Sequence, residues 1–177
     1  MICIDAGHAD KEYGAVFDNI EEDIVNWEIG RRVYEKLVGI GHKAILTRKH
    51  LWDNPSLAMR AKTANTAKAD VFVSVHCNAY WDEKVFGIET HHFKGSQRGK
   101  HLADLIQKSV IHETGGYDRG LFERDDLLVL KKTVMPAVLI ECGFLSNHHE
   151  NTALMMASYQ NDIAVGITKG ILDFIGV

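Results

Sequence analysis

The chain has 177 residues, 46% of them hydrophobic and 25% charged, with a formal net charge of −4. That length builds one full hydrophobic core, so residues 1–177 read as a single domain, with no linker, repeat or low-complexity stretch. The acidic balance and the lack of a basic face exclude nucleic acid as the obvious partner, and apolar runs this short exclude membrane insertion.

The chain enters a β-branched run at once, over residues 2–5, so no signal peptide is read here. The expectation is synthesis in the cytoplasm without an export signal, or a mature fragment. Val25, Ile29, Val33 and Leu37 then recur every four residues, the mark of one helix face ending near Gly39 or Gly41. Residues 43–47 form the next strand. Asn54-Pro55 supplies a cap and first turn for a helix through Leu57, Ala61, Ala64 and Ala67, and residues 71–75 read as a buried strand. Another strand covers 87–93. Ser96 opens a helix whose inner face carries Leu102, Leu105, Ile106 and Val110, and Gly115-Gly116 stops it. Residues 127–130 and 137–141 complete the strands, and a helix from about Ser158 closes the chain with Ile163, Ile167 and Ile171. Six strands alternating with four or five helices predict an α/β fold, a three-layer α/β/α sandwich around a mostly parallel six-stranded sheet. The fold by itself names no reaction.

Chemistry enters where strands end. Ile2-Cys-Ile-Asp-Ala-Gly-His8, Val73-Ser-Val-His-Cys-Asn-Ala79 and Val138-Leu-Ile-Glu-Cys-Gly-Phe-Leu-Ser-Asn147 are β-branched runs that finish on a His or Glu. The carboxyl ends of parallel strands line the crevice where ligands bind, so residues far apart in sequence converge there. His8, presented where Gly7 lets the backbone turn, and His76 are thus candidate metal ligands. A catalytic zinc usually takes three protein ligands and keeps a fourth position open. Glu22, opening the first amphipathic helix, is the best third candidate, with Glu21 and Asp23 as local rivals. Glu141 ends an aliphatic run, where an ionised carboxylate is rare unless paired or functional, and so reads as a general base.

The other polar residues read more plainly. Cys3, Cys77 and Cys142 lie within or beside strands without disulfide spacing and should stay reduced and buried. A Cys77 nucleophile paired with His76 is disfavoured, because adjacent strand residues face opposite sides. For the same reason His91 and His92 cannot both line the crevice. Those two, with His42, His50, His101, His112, His148 and His149, read as surface positions.

Taken in order, the blocks Asp5-x-Gly-His8, Glu22-x-x-x-Asn26, Leu46-Thr-Arg48, Ser74-Val-His-x-Asn-Ala79, Asp118-Arg-Gly120 and Glu141-x-Gly-Phe-x-Ser-Asn147 resemble the zinc-dependent N-acetylmuramoyl-L-alanine amidases often called amidase 3. The resemblance runs essentially end to end. It implies one zinc ion held by His8, Glu22 and His76, Glu141 as the catalytic carboxylate, and a shallow groove for glycan-attached peptide. The implied reaction cuts the amide between muramic acid and the first alanine of the peptidoglycan stem. Asn78 and Arg48 could orient the substrate, or serve as strand-end hydrogen-bonders. Ala6, Ala9-Asp10, Cys77 and Cys142 depart from the usual pattern without removing a ligand. Two alternatives stand beside this reading, a zinc peptidase cutting within the stem and a catalytically idle wall-binding module. Some similar proteins carry an inserted helix that plugs the zinc site. Here residues 120–130 run straight into a strand, so no activator protein is expected. The implied place of action is the bacterial cell wall, after release or lysis, in an endolysin-like or sporulation-type role.

Overall fold

The alternating pattern forms in a computed structural model that describes residues 1–177. In chain order the elements are β1 (Ile2–Ala6), β2 (Val16–Phe17), β3 (Ile20–Glu21), α1 (Glu22–Gly39), β4 (Ala44–Leu46), α2 (Leu57–Thr66) and β5 (Val71–Asn78). Then follow β6 (Ile88–Phe93), α3 (Gln97–Thr114), β7 (Asp118–Arg124), α4 (Leu128–Lys132), β8 (Ala137–Phe144), α5 (His148–Leu154) and α6 (Ala157–Ile175). Six strands make one sheet in the order β4-β1-β5-β8-β6-β7, parallel throughout except where β6 runs against β8. β2 and β3 form a separate small hairpin.

Side chains alternate between the two faces, and the faces are not equivalent. On one, Ile4, Val73, Val75 and Ile140 pack under α1, α3 and α6 against Val25, Ile29, Ile106, Ile163 and Ile167. On the other, Cys3, Phe72 and Leu139 meet Ala64 of α2 with Val129 and Leu130 of α4. This second face turns polar toward the carboxyl ends of β1, β5 and β8. There Asp5 pairs in register with Ser74, and His76 with Glu141, which in turn faces Glu89 of β6. The result is a row of polar sheet residues that neither α2 nor α4 covers with apolar side chains.

Several elements differ from the sequence reading. Residues 127–130 are not a strand: Leu128–Lys132 is the short helix α4, and the sixth strand is β7 instead. Four consecutive apolar residues have no period that separates strand from helix, and here they cap the second core cluster. Ser56, not Asn54, caps α2, its Oγ accepting from Met59 N at 3.4 Å. Asn54 Nδ2 donates to the Asp10 carbonyl at 2.8 Å, tying down the loop beyond His8. His91 and His92 are both buried, because β6 lies inside the sheet between β8 and β7 rather than at its edge.

Candidate metal centre

His8 lies just past β1, after Gly7, and the turn is made by His8 itself, whose φ is +54°. Such a conformation is costly for a residue with a side chain and persists where surrounding bonds impose it. Arg60 imposes it: its buried guanidinium donates to the Ala6 carbonyl at 2.6 Å, the His8 carbonyl at 2.8 Å and Asp5 Oδ1 at 2.8 Å. Asp5 is fixed in turn by the hydroxyls of Thr47 and Ser74. Despite its burial, the Arg60 charge and these hydroxyls hold its carboxyl below the usual range. Gly7 serves proximity rather than turning. A Cβ there would lie 2.3 Å from the His76 ring, so only glycine lets the two histidines approach.

Glu22, the first residue of α1, reaches into the space between the histidines. Its Oε1 lies 3.0 Å from His76 Nδ1 and its Oε2 3.3 Å from His8 Nε2. The same carboxylate accepts from Ala15 N at 2.9 Å, Cys77 N at 3.1 Å and Asn26 Nδ2 at 3.0 Å. Burial works against its ionisation, but the His76 bond, both histidines and Asn26 prevail and hold its pKa at about 2. Burial lowers the pKa of His8; burial also acts to lower that of His76, yet Glu22 raises it overall. One ligand atom from each of His8, Glu22 and His76 falls within 4.8 Å of the others. The two rivals at the helix start stand outside this cluster.

Glu141 stands one strand away, beside His76 in the register of β5 and β8. Its Oε2 is sealed from solvent and has no hydrogen-bond partner. Burial first, with Glu22 and Glu89 adding to it against His76 and Arg124, raises its pKa to about 7. Beyond Glu141 the row continues into Glu89, which accepts from Asn78 Nδ2 at 3.1 Å and Arg119 Nε at 2.6 Å and lies 3.2 Å from His91 Nε2.

Arg48 is only 1% exposed and spends its guanidinium on the carbonyls of Ala6, Gly7, Asp23 and Leu51 while lying over the Trp27 ring. That is the strand-end bonding role, binding β1, α1 and the β4 loop together. Asn78 ends β5, held by Glu89 and by its own Oδ1 accepting from Ala79 N at 2.8 Å. Cys77 is 1% exposed on the opposite, apolar face, and burial drives its thiol pKa well above the usual value. Cys3 and Cys142 are likewise free and buried. Sequence reasoning missed Arg60 and Glu89. Asp5, the partner of Arg60, carries no local signal of that pairing, and the strand register that sets Glu89 beside Glu141 is not written in local sequence.

The sequence as a whole matches a known family. The amidase 3 family, described as N-acetylmuramoyl-L-alanine amidase, matches residues 2–173. The chain belongs to the N-acetylmuramoyl-L-alanine amidase family. It is 34% identical to the N-acetylmuramoyl-L-alanine amidase LytC of Bacillus subtilis strain 168 over 98% of this chain and 35% of that protein. It is 36% identical to the endolysin of Bacillus phage SPP1 over 100% of this chain and 66% of that protein. The chain thus spans about a third of one curated relative and just under two thirds of the other. Among solved structures, the catalytic domain of the amidase CwlV from Bacillus (Paenibacillus) polymyxa var. colistinus superposes with a TM-score of 0.93 at 34% identity, covering 99% of this chain and 98% of that one. The CwlD amidase of Clostridioides difficile, solved in complex with the GerS lipoprotein, gives 0.91 at 32% identity over 98% and 97% of the two chains. The expected sandwich is the fold these amidase domains share, and in this chain β7 leads into α4 through residues 125–127 alone.

Proposed function

We propose that this amidase-family chain is one catalytic domain that hydrolyses the amide joining N-acetylmuramic acid to L-alanine in peptidoglycan, with zinc held by His8, Glu22 and His76. The observation that carries this reading is the donor triad itself. Tetrahedral zinc with bonds of about 2.0–2.2 Å sets its ligands roughly 3.3–3.6 Å apart. His76 Nδ1 lies 3.0 Å from Glu22 Oε1 and His8 Nε2 lies 3.3 Å from the other oxygen, Oε2, and one ligand atom from each of the three residues lies within 4.8 Å of the others, a cluster that a shared ion would draw together. Two imidazoles and a carboxylate are also a common donor set for catalytic zinc.

Zinc, when bound, supplies a Lewis acid that polarises a carbonyl and brings the acidity of water near neutral pH. The chain supplies the proton handling. Glu141, with a pKa raised to about 7, is poised to take a proton on Oε2 and deliver it to the departing alanine nitrogen. Its unpartnered oxygen leaves that role free. Glu22 keeps its geometry through the Cys77, Ala15 and Asn26 donors, and His76 is held in turn by Glu22 Oε1. Asn78, two residues past His76 and bonded to Glu89, is proposed to orient the substrate; the bonds of Arg48 support a positioning role for it. The site of action proposed is the cell wall, with lytic activity that needs no activator protein.

Chelation tests this directly. Exhaustive removal of metal should abolish release of stem peptides from purified walls, zinc should restore it, and thiol alkylation should leave it intact. Activity that survives chelation but is lost on alkylating Cys77 would refute the metal reading.

A further inference from the structure

The row of polar residues does not end at Glu141: it continues through Glu89 to Arg119. Between β6 and β7 the register slips: Ile88 lies opposite Asp118, while Glu89 lies opposite Gly120. Arg119 is the extra, unpaired residue of that bulge, and bulges re-aim side chains beside active sites. Its guanidinium is locked from several directions. Nε donates to Glu89 Oε2 at 2.6 Å, Nη1 to the Phe86 carbonyl at 3.3 Å, and the plane lies 4.9 Å over the Phe144 ring. Space for this side chain is reserved by Gly87, at φ +114°, where a Cβ would come 2.7 Å from Arg119 Cγ. Yet Nη2 has no partner in the chain, and the side chain remains 30% exposed.

Resting on the amide-cleavage reading above, we propose that Arg119 is a specificity residue that binds a carboxylate carried by the peptide two residues beyond the scissile amide. A guanidinium fixed at one edge and open at the other presents parallel N–H donors, the fork that matches a carboxylate. Reach supports the assignment. Arg119 pairs with Glu89, two strand spacings across the sheet from His76, or roughly 10 Å at about 4.8 Å per strand. An extended peptide advances about 3.3–3.6 Å per residue, so two residues cover about 7 Å and a hydrogen bond of about 2.8 Å supplies the remainder. The second residue of the stem peptide, D-glutamate, carries an α-carboxylate at that separation when it is not amidated.

The test uses the zinc-loaded full chain and two soluble probes. One is a muramoyl dipeptide with D-glutamate as second residue; the other is identical but carries an α-carboxamide. The free carboxylate should be preferred by about tenfold or more in kcat/KM, mainly through KM, the scale of a charge-assisted bond. Arg119→Gln should bring that ratio close to one, and Arg119→Lys, which keeps the charge but not the fork, should fall between. Calorimetric binding of the two corresponding alanyl dipeptides should show the same order without any turnover. Should Arg119→Gln fail to fold, Arg119→Lys and the binding assay carry the test. Equal handling of the two probes by the wild type, or undiminished preference in both variants, would overturn the proposal. Preferential binding of the free carboxylate without cleavage of either probe would uphold Arg119 and refute amide cleavage.

Discussion

Replacing Glu141 by Gln should stabilise the metal-free protein while disabling it. The Glu141 pKa rises from an ordinary 4.5 to about 7 because its charged form is buried beside Glu22 and Glu89. A carboxyl whose folded pKa is raised binds its proton more tightly when folded, so its ionisation subtracts stability as pH climbs from 4.5 toward 7. At about 1.4 kcal/mol per unit, the penalty approaches 3 kcal/mol by pH 8 and vanishes near pH 4. Glutamine keeps the shape and carries no charge. For a chain of this length each kcal/mol moves Tm by roughly 2–4 °C, so metal-free Glu141→Gln should melt about 6–12 °C above the wild type at pH 8 and beside it at pH 4. Added zinc should narrow the gap, since a nearby dication favours the carboxylate. The assay is calorimetry of both proteins across that pH range, with zinc content and turnover measured alongside. Turnover should fall by roughly 10²-fold or more with zinc still bound. A lower Tm for the variant at pH 8 would refute the account of Glu141 as an unpaired buried carboxylate, and a metal-free variant would make Glu141 a ligand.

His76→Ala should lose zinc and activity together, because one of three proposed ligands is gone; metal analysis beside a wall-lysis assay checks this. Arg48→Ala should cost about 3 kcal/mol of stability, since four carbonyl bonds are lost from a buried cation, and a variant with wild-type Tm but a raised KM would show a substrate contact instead. Asp5 has a depressed pKa, so its stabilisation is present above about pH 4 and lost as pH falls through the lower folded value. Asp5→Asn should therefore be destabilised at pH 7 by about 3 kcal/mol, and its stability should vary less with pH on the acid side than that of the wild type, as denaturant titrations would reveal.

The parts legible in sequence were those whose residues carry a strong period or a terminal signal. The unbroken run of β1, the four-residue spacing of α1, and the Ser96 and Gly115 boundaries of α3 formed as read, while β5 and β8 start where read but run three residues further, to Asn78 and Phe144. β7 was missed because Asp118–Arg124 is an edge strand dense in charge, the usual protection for an edge. The β2–β3 hairpin was also missed, although Asp18 and Asn19, both at positive φ, are the residues a tight turn between strands favours. α5 hid behind Asn147, whose side chain caps it by accepting from His149 N and Glu150 N. Within the site, Glu22 could be named because it begins a helix, and His8, His76 and Glu141 because each follows an aliphatic strand run, although β5 and β8 continue past His76 and Glu141 to Asn78 and Phe144. Arg60, Glu89 and the role of Arg119 depend on which strands become neighbours and where the register slips, and no local pattern encodes that.

Digestion of purified peptidoglycan with zinc-loaded protein, followed by mass spectrometry of the products, tests the central claim most directly. The expected products are intact stem peptides with a free alanine amino terminus and glycan strands with unsubstituted lactyl groups, formed with zinc and absent after chelation. Peptides cut within the stem, or the same products in fully chelated samples, would contradict it.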